Sequence, residues 1–172
     1  PIDEVAPTDP AAQWPLNCQT ALFTSGSTGD SLTVDKTATQ LITEVETYVE
    51  LWGEDLATCT FFATVSHQHI YGLIFRLLLP FAIHRPFWAE LLTNPRNLLH
   101  VSQPFGAAAW VASPAQLKRT NPAIIGDLST AHVRYIFSSG GLLEPQPASD
   151  IAASFDAPAW EVYGSTETGG IA

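Results

Sequence analysis

The sequence predicts an α/β fold, a mainly parallel sheet flanked by helices. Three observations point to it. Strand-like runs alternate with amphipathic helical segments over most of the chain, which is the pattern a parallel sheet with crossover helices leaves in a sequence. Three turns of glycine and small hydroxyl residues (Thr24–Gly29, Ser138–Gly141 and Gly164–Glu167) each follow a predicted strand. With 46% apolar residues and five tryptophans, the chain has enough to bury for one domain with a real core.

In chain order, residues 1–17 hold Pro1, Pro7, Pro10 and Pro15 and read as an extended lead-in or linker. That leaves residues 18–172 as the folded part. Gln19–Thr24 is predicted as a short strand. A helix over Thr37–Trp52 follows from Ala38, Leu41, Ile42, Val45, Tyr48, Val49 and Trp52, spaced by threes and fours. Thr37 and Gln40 have the spacing of a capping box, and Gly53 stands where a C-terminal cap belongs. Thr58–Val65 reads as a buried strand, and Ile70–Leu79 as a helix ended by Pro80. A short strand is expected at Ala82–Pro86 and a helix near Trp88–Thr93. Ala108–Ala112 is a further strand, and Pro114–Arg119 starts a helix with proline in its first turn. Val133–Ser138, Pro145–Phe155 and Ala159–Tyr163 complete the series as strand, helix and strand.

Charge and cysteine usage narrow the partners. A formal charge of −10 and a pI near 4.6 argue against nucleic acid or an anionic membrane surface. The longest apolar run, Ile70–Ile83, contains Arg76 and Pro80 and is too short for a membrane span. Cys18 and Cys59 have no metal or redox spacing and read as ordinary thiols, in keeping with a reducing cytoplasm. No secretory signal is visible. A chain with no methionine reads as a piece of a longer protein.

The chemistry concentrates in Ala21–Lys36. An apolar lead-in, a loop Thr24-Ser25-Gly26-Ser27-Thr28-Gly29 and a following helix are what a polyphosphate needs. Glycines let the backbone approach an anion, successive N–H groups can cradle it, and hydroxyls add donors without charge. The loop is not a Walker A motif, because no Gly-Lys-Ser/Thr closes it. In parallel sheets ligands bind beyond the carboxyl ends of the strands, so all three small-residue turns are expected on one edge.

Taken together and in order, TSGSTG (Thr24–Gly29), SHQHIYGLIFRLLLP (Ser66–Pro80), SSGGLLEP (Ser138–Pro145) and YGSTE (Tyr163–Glu167) resemble the AMP-forming adenylating enzymes, which include the acyl-CoA synthetases. The resemblance runs from about residue 20 to the end. It implies that residues 18–172 are part of the large ATP-binding domain, the small C-terminal domain lying beyond them. The implied reaction joins ATP and a carboxylic acid, fatty or aryl, into acyl-AMP and pyrophosphate. Transfer to CoA or to the pantetheine thiol of an acyl carrier protein follows. By the same resemblance Thr24, Ser25, Gly26, Ser27, Thr28 and Gly29 hold the outer phosphates, and Ser139, Gly140 and Gly141 pack on the adenine face. Tyr163 stacks on adenine, with Gly164 and Ser165 beside it. Thr166 contacts the α-phosphate region, Glu167 ligates Mg²⁺, and His69, with Tyr71 and Gly72, guards the acyl pocket. Ile70, Leu73, Phe75 and Trp110 are expected to line that pocket.

One departure stands out. Many members of this superfamily carry Pro-Lys where this chain has Ser31 and Leu32. Lys36 is then the nearest cation, and either takes over part of the missing role or solvates a helix N-terminus. Two rival classes remain. One is a nucleotide-binding or interaction module without catalysis. The other is a serine hydrolase, for which no Gly-x-Ser-x-Gly elbow occurs and only His132 or His100 could be offered as a base.

Overall fold

The computed structural model describes residues 19–25, 31–120, 130 and 132–171. Its centre is a four-stranded sheet in the order β3-β4-β5-β6, every neighbouring pair parallel. These strands are Cys59–Ala63, Ala107–Ala112, Val133–Ser138 and Ala159–Glu161. Phe62, Trp110 and Ile136 stand in register across three strands, as do Phe61, Ala109 and Tyr135. Successive strand residues point to opposite faces, so these rows feed two separate cores. One holds Phe61, Ala63, Ala109, Val111 and Phe137; the other holds Phe62, Ala108, Trp110, Ala112 and Ile136. Helices cover both faces, as the alternation of elements predicts.

On the first face lies α1 (Ala38–Trp52), which buries Leu41, Val45 and Tyr48. Full burial of Leu41 and Val45 stabilises the packed state by about 1.5–3 kcal/mol each. Trp52 extends the seam, its ring 5.0 Å from Phe137 and 6.0 Å from Trp160. The capping box between Thr37 and Gln40 forms as the sequence predicts, and the Gly53 N–H closes on the Val49 carbonyl at 2.8 Å. Beside α1 runs α2, a continuous helical segment over residues 70–82. Pro80 does not end it. The Leu73–Leu78 stretch takes π hydrogen bonding, with the Leu79 N–H reaching the Ile74 carbonyl, and Leu79–Ala82 continues the helix. A proline supplies no N–H to the carbonyl four residues back and crowds it with its ring; the widened turn gives that ring room. On the opposite face lie α3 (Pro95–Ser102), the short α4 (Pro114–Leu117) and α5 (Pro145–Phe155).

Three further expectations change. The chain after Ser25 does not pass from loop to helix. β1 (Gln19–Ser25) and β2 (Ser31–Thr37) pair antiparallel over their whole length, and α1 starts only after β2. Within Thr33-Val34-Asp35-Lys36 of this second strand, only Val34 and Lys36 turn inward. Ala82–Pro86 is not a strand; the extended contact falls on Phe87, which bridges Phe61 on the free side of β3. Trp88–Thr93 is not helical, whereas Pro95–Ser102 is. There Asn94 caps the backbone N–H groups of Arg96 and Asn97, and Pro95 occupies the first turn, where its missing N–H costs nothing. No helix of the described residues is long and apolar enough to cross a membrane.

Candidate active site

The carboxyl ends of β5 and β6 open into a hollow bordered by strand-ending loops. After β5, the Ser139 hydroxyl donates to the Val162 carbonyl at 2.6 Å, and the Val162 N–H donates to the Ser138 carbonyl at 2.8 Å. These bonds bind the two strand-ending loops together. Gly140 follows with φ +84°, and a side chain there would point into open space. The backbone therefore adopts a conformation that L side chains avoid, and leaves room beside it. Across that room stands Tyr163, 71% exposed. Gly140, Gly141, Leu142, Glu161, Tyr163 and Gly164 enclose a hollow of about 290 Å³. The bare Gly140 peptide and the Tyr163 phenol ring thus both border this hollow.

Past Tyr163 the chain makes a tight hairpin of β7 (Gly164–Ser165) and β8 (Gly169–Gly170). Its turn is held by reciprocal bonds. The Ser165 N–H donates to the Thr168 hydroxyl at 3.1 Å, and the Thr168 N–H donates to the Ser165 hydroxyl at 3.2 Å. Thr166 and Glu167 occupy the tip. The Glu167 carboxyl is held below the usual carboxylate range, first by its own backbone N–H and then by the Ser165 hydroxyl, with Lys36 adding a weaker pull. It is therefore ionised and open to solvent.

Helix α1 fixes where this hairpin lies. The Gly170 N–H donates to Glu44 Oε1 at 2.8 Å. A Cβ on Gly170 would strike the Tyr48 hydroxyl, so only glycine allows the contact. Burial, reinforced by the neighbouring Glu44 carboxylate, pushes the Tyr48 phenol up to about 12. A second hollow, of about 250 Å³, is lined by His69, Ile70, Ser139, Gly140, Ser165 and Thr166, with Glu44 and Tyr48 at its α1 side. Lys36 closes the arrangement: it is only 6% exposed, and its ammonium donates to the Glu167 carbonyl at 2.8 Å.

The family profile of the AMP-binding enzymes matches residues 2–172. The chain belongs to that family. No curated protein matches it in sequence. In fold it is similar to an acyl-CoA synthetase from Brucella canis, with a TM-score of 0.74 and 19% identity over 88% of this chain and 28% of that one. ATP-bound MatB from Rhodopseudomonas palustris gives 0.72 and 20% over 87% and 29%. A malonyl-CoA ligase with methylmalonyl-CoA and AMP bound gives 0.70 and 18% over 87% and 33%. The chain thus spans about a third or less of the length of these structures.

Within this member of the family, the structure brings His69, Ser139, Gly140, Gly164, Ser165 and Thr166 onto one cavity. Tyr163 and Gly141 flank it, and Glu167 stands at the hairpin tip. Thr24 is the last residue but one of β1, its hydroxyl 3.4 Å from the Leu32 carbonyl; Gly26, Ser27, Thr28 and Gly29 lie outside the described residues, as does the Ser25 side chain. Lys36 does not solvate a helix N-terminus, because its ammonium is buried against Glu167. His69 caps the start of α2 without a side-chain bond, while Nδ1 of His67 sits 3.4 Å from the Arg76 guanidinium. Trp110 cannot line the acyl side. It is wholly buried on the other face of the sheet from Phe75, because odd and even residues of β4 part company there.

Glu44 and Tyr48 were not singled out by the sequence. Their only signal is an acidic residue at the margin of the α1 apolar stripe, one turn before a buried tyrosine. The Ser–His contact at Ser102 and His132, 2.8 Å apart, does not make a nucleophile. Ser102 is fully buried, donates to the Leu99 carbonyl and accepts from the Trp110 indole.

Proposed function

We propose that residues 18–172 form part of the large ATP-binding domain of an adenylate-forming ligase. The complete protein converts ATP and a carboxylic acid to acyl-AMP and pyrophosphate. It then passes the acyl group to a thiol, that of CoA or of a carrier-protein pantetheine. The observation that carries this reading is the joining of two features on one strand edge: the Gly140–Tyr163 slot and the ionised Glu167 turn beside the His69 cavity. In the proposed arrangement adenine stacks on Tyr163 and against the Ser139–Gly141 backbone. Thr166 donates to the α-phosphate, where negative charge develops during attack. Thr24 to Gly29 receive the outer phosphates, and Lys36, at the far end of β2, lies behind the turn that carries Thr166 and Glu167.

An Mg²⁺ ion fits this donor set. It is bound through one or two carboxylates plus substrate phosphates, and Glu167 offers one carboxylate held ionised. When bound, the ion neutralises phosphate charge. His69, Ile70, Tyr71 and Phe75 adjoin the same cavity, and their apolar surfaces favour a fatty or aryl acid. CoA as acceptor draws support from the malonyl-CoA ligase of similar fold. The buried free thiol of Cys59 fits a reducing cytoplasm.

One observation favours a non-catalytic nucleotide-binding module instead: Leu32, 58% exposed, stands where a lysine is common in the superfamily. Acid-dependent ATP–pyrophosphate exchange by the complete protein, across fatty, aryl and amino acids, decides between the two. The ligase reading expects exchange with one acid class, reduced about 100-fold or more in Glu167→Ala. ATP binding with no exchange for any acid leaves the module.

A further inference from the structure

We propose that Lys36 is a positioning residue, whose buried ammonium holds the Glu167 carbonyl and so fixes the Thr166–Glu167 turn relative to the β1–β2 hairpin. The inference deepens the ligase reading and rests on it for its catalytic arm. It starts from strand geometry. In β2, residues four apart share a face and stand about 13 Å apart, so Leu32 and Lys36 point the same way. Leu32, near the loop, is exposed, whereas Lys36, at the α1 end, is buried. The cation has therefore been drawn along β2 away from the loop and into the molecule.

What it meets there is a backbone oxygen. The Lys36 to Glu167 bond, 2.8 Å long, spans 131 positions of the chain. The only ion pair among the described residues is Lys118 with Glu144, and the Glu167 carboxylate feels Lys36 only as the last of its influences. Among the described residues the Glu167 carbonyl is the hydrogen-bond acceptor that holds this ammonium, and removing the bond leaves its charge poorly compensated. The lever is stiff at its root as well. Lys36 pairs with Thr20 across the hairpin and adjoins Thr37, the capping residue of α1.

The turn it grips has one other described attachment to this side of the molecule, the Gly170 N–H on Glu44. Glu44 holds the returning strand of the hairpin. Lys36 holds its tip, where the carbonyl of the residue bearing the carboxylate is fixed. Without Lys36 the hairpin stays docked at its base, while Thr166 and Glu167 lose their fixed position. Such a loss acts on the transition state more than on the grip of bound ATP, and so shows in kcat before KM.

The test compares Lys36→Met, which keeps the length and loses charge and donors, with Lys36→Arg, which keeps both. In the complete protein, amide hydrogen exchange over residues 164–170 should quicken about tenfold in Lys36→Met, the effect of losing one charge-assisted bond. It should stay unchanged in β3, β4 and β5 and return toward the original rate in Lys36→Arg. In pyrophosphate exchange, kcat should fall about tenfold or more with the ATP KM changed less than about threefold. Unaltered exchange over 164–170 overturns the tether. A raised ATP KM with kcat intact overturns it in favour of direct phosphate contact. Should the complete protein show no pyrophosphate exchange at all, the ligase reading fails, and the hydrogen-exchange arm still decides the tether. If Lys36→Met does not fold, the unaltered protein serves: toward an amine-acylating reagent Lys36 should react at least about tenfold more slowly than Lys118, and equal reactivity overturns the proposal.

Discussion

The two ends of the parallel sheet both carry hollows, and they differ in the chemistry of their linings. At the amino ends, Asp55, Thr58, Gly106, Ala107, Arg134 and Tyr135 surround about 440 Å³. At the carboxyl ends the hollows measure about 250 and 290 Å³, and a further one of about 770 Å³ lies where α1 faces Glu161, Val162 and Glu167. What differs is how polarity is supplied. The amino end uses side chains that partner one another. Burial and then the Asp55 carboxylate raise the Tyr135 phenol, burial raises the Cys59 thiol, and Arg85 spends its Nε–H on the Cys59 carbonyl. The carboxyl end uses bare backbone, small hydroxyls and an ionised carboxylate facing outward. A ligand needs groups left available to it, so the chemistry of the lining identifies the site.

A matched pair of substitutions sharpens this contrast most. Gly140, at the carboxyl end, has φ +84°, and Gly106, at the amino end, has φ +78°; neither has an atom within 4 Å of a would-be Cβ. Alanine at either should cost about 1–2 kcal/mol of stability through the left-handed backbone alone, measured by denaturant unfolding. Only Gly140→Ala should weaken ATP binding, by about tenfold or more, because only there does the added methyl enter the slot. Equal effects on ATP would break the comparison.

A smaller effect concerns protons. A carboxyl with a lowered folded-state pKa is favoured as the anion, so its contribution is present above its unfolded pKa and is lost as pH falls through the folded value. Glu167 should therefore titrate below the ordinary glutamate value of about 4.3 when followed by NMR, and Ser165→Ala should move its midpoint upward. The smallest expected effect is Arg134→Ala, at the amino end. It should leave ATP affinity unchanged and stability within about 0.5 kcal/mol.

Periodicity made much of the fold legible. Val133–Ser138 and Pro145–Phe155 coincide with the expected strand and helix, because each is bounded by glycine or proline and patterned on one period. The Thr37 capping box was readable for the same reason, since both partners lie within one turn. The misreadings come from longer-range causes. β2 falls where a helix is expected to follow the Thr24–Gly29 loop, because its pairing with β1, and not its own few apolar residues, makes it a strand. Helix α3 carries its start signal in Asn94-Pro95, but Trp88 and Leu92, which belong to the core, drew the expectation upstream. Pro80 ends a helix only when the turn before it cannot widen. At the site, the turns named themselves through glycine and hydroxyl residues, whereas Glu44, Tyr48 and the Lys36 bond to a distant carbonyl exist only after the chain has folded.

The most direct measurement is hydrogen exchange of the complete protein with and without ATP and Mg²⁺. The account predicts slowed exchange at residues 139–141 and 163–168, with residues 55–59, 106–107 and 134–135 unchanged. Protection at the amino ends of the strands, with none at 139–141, would contradict it.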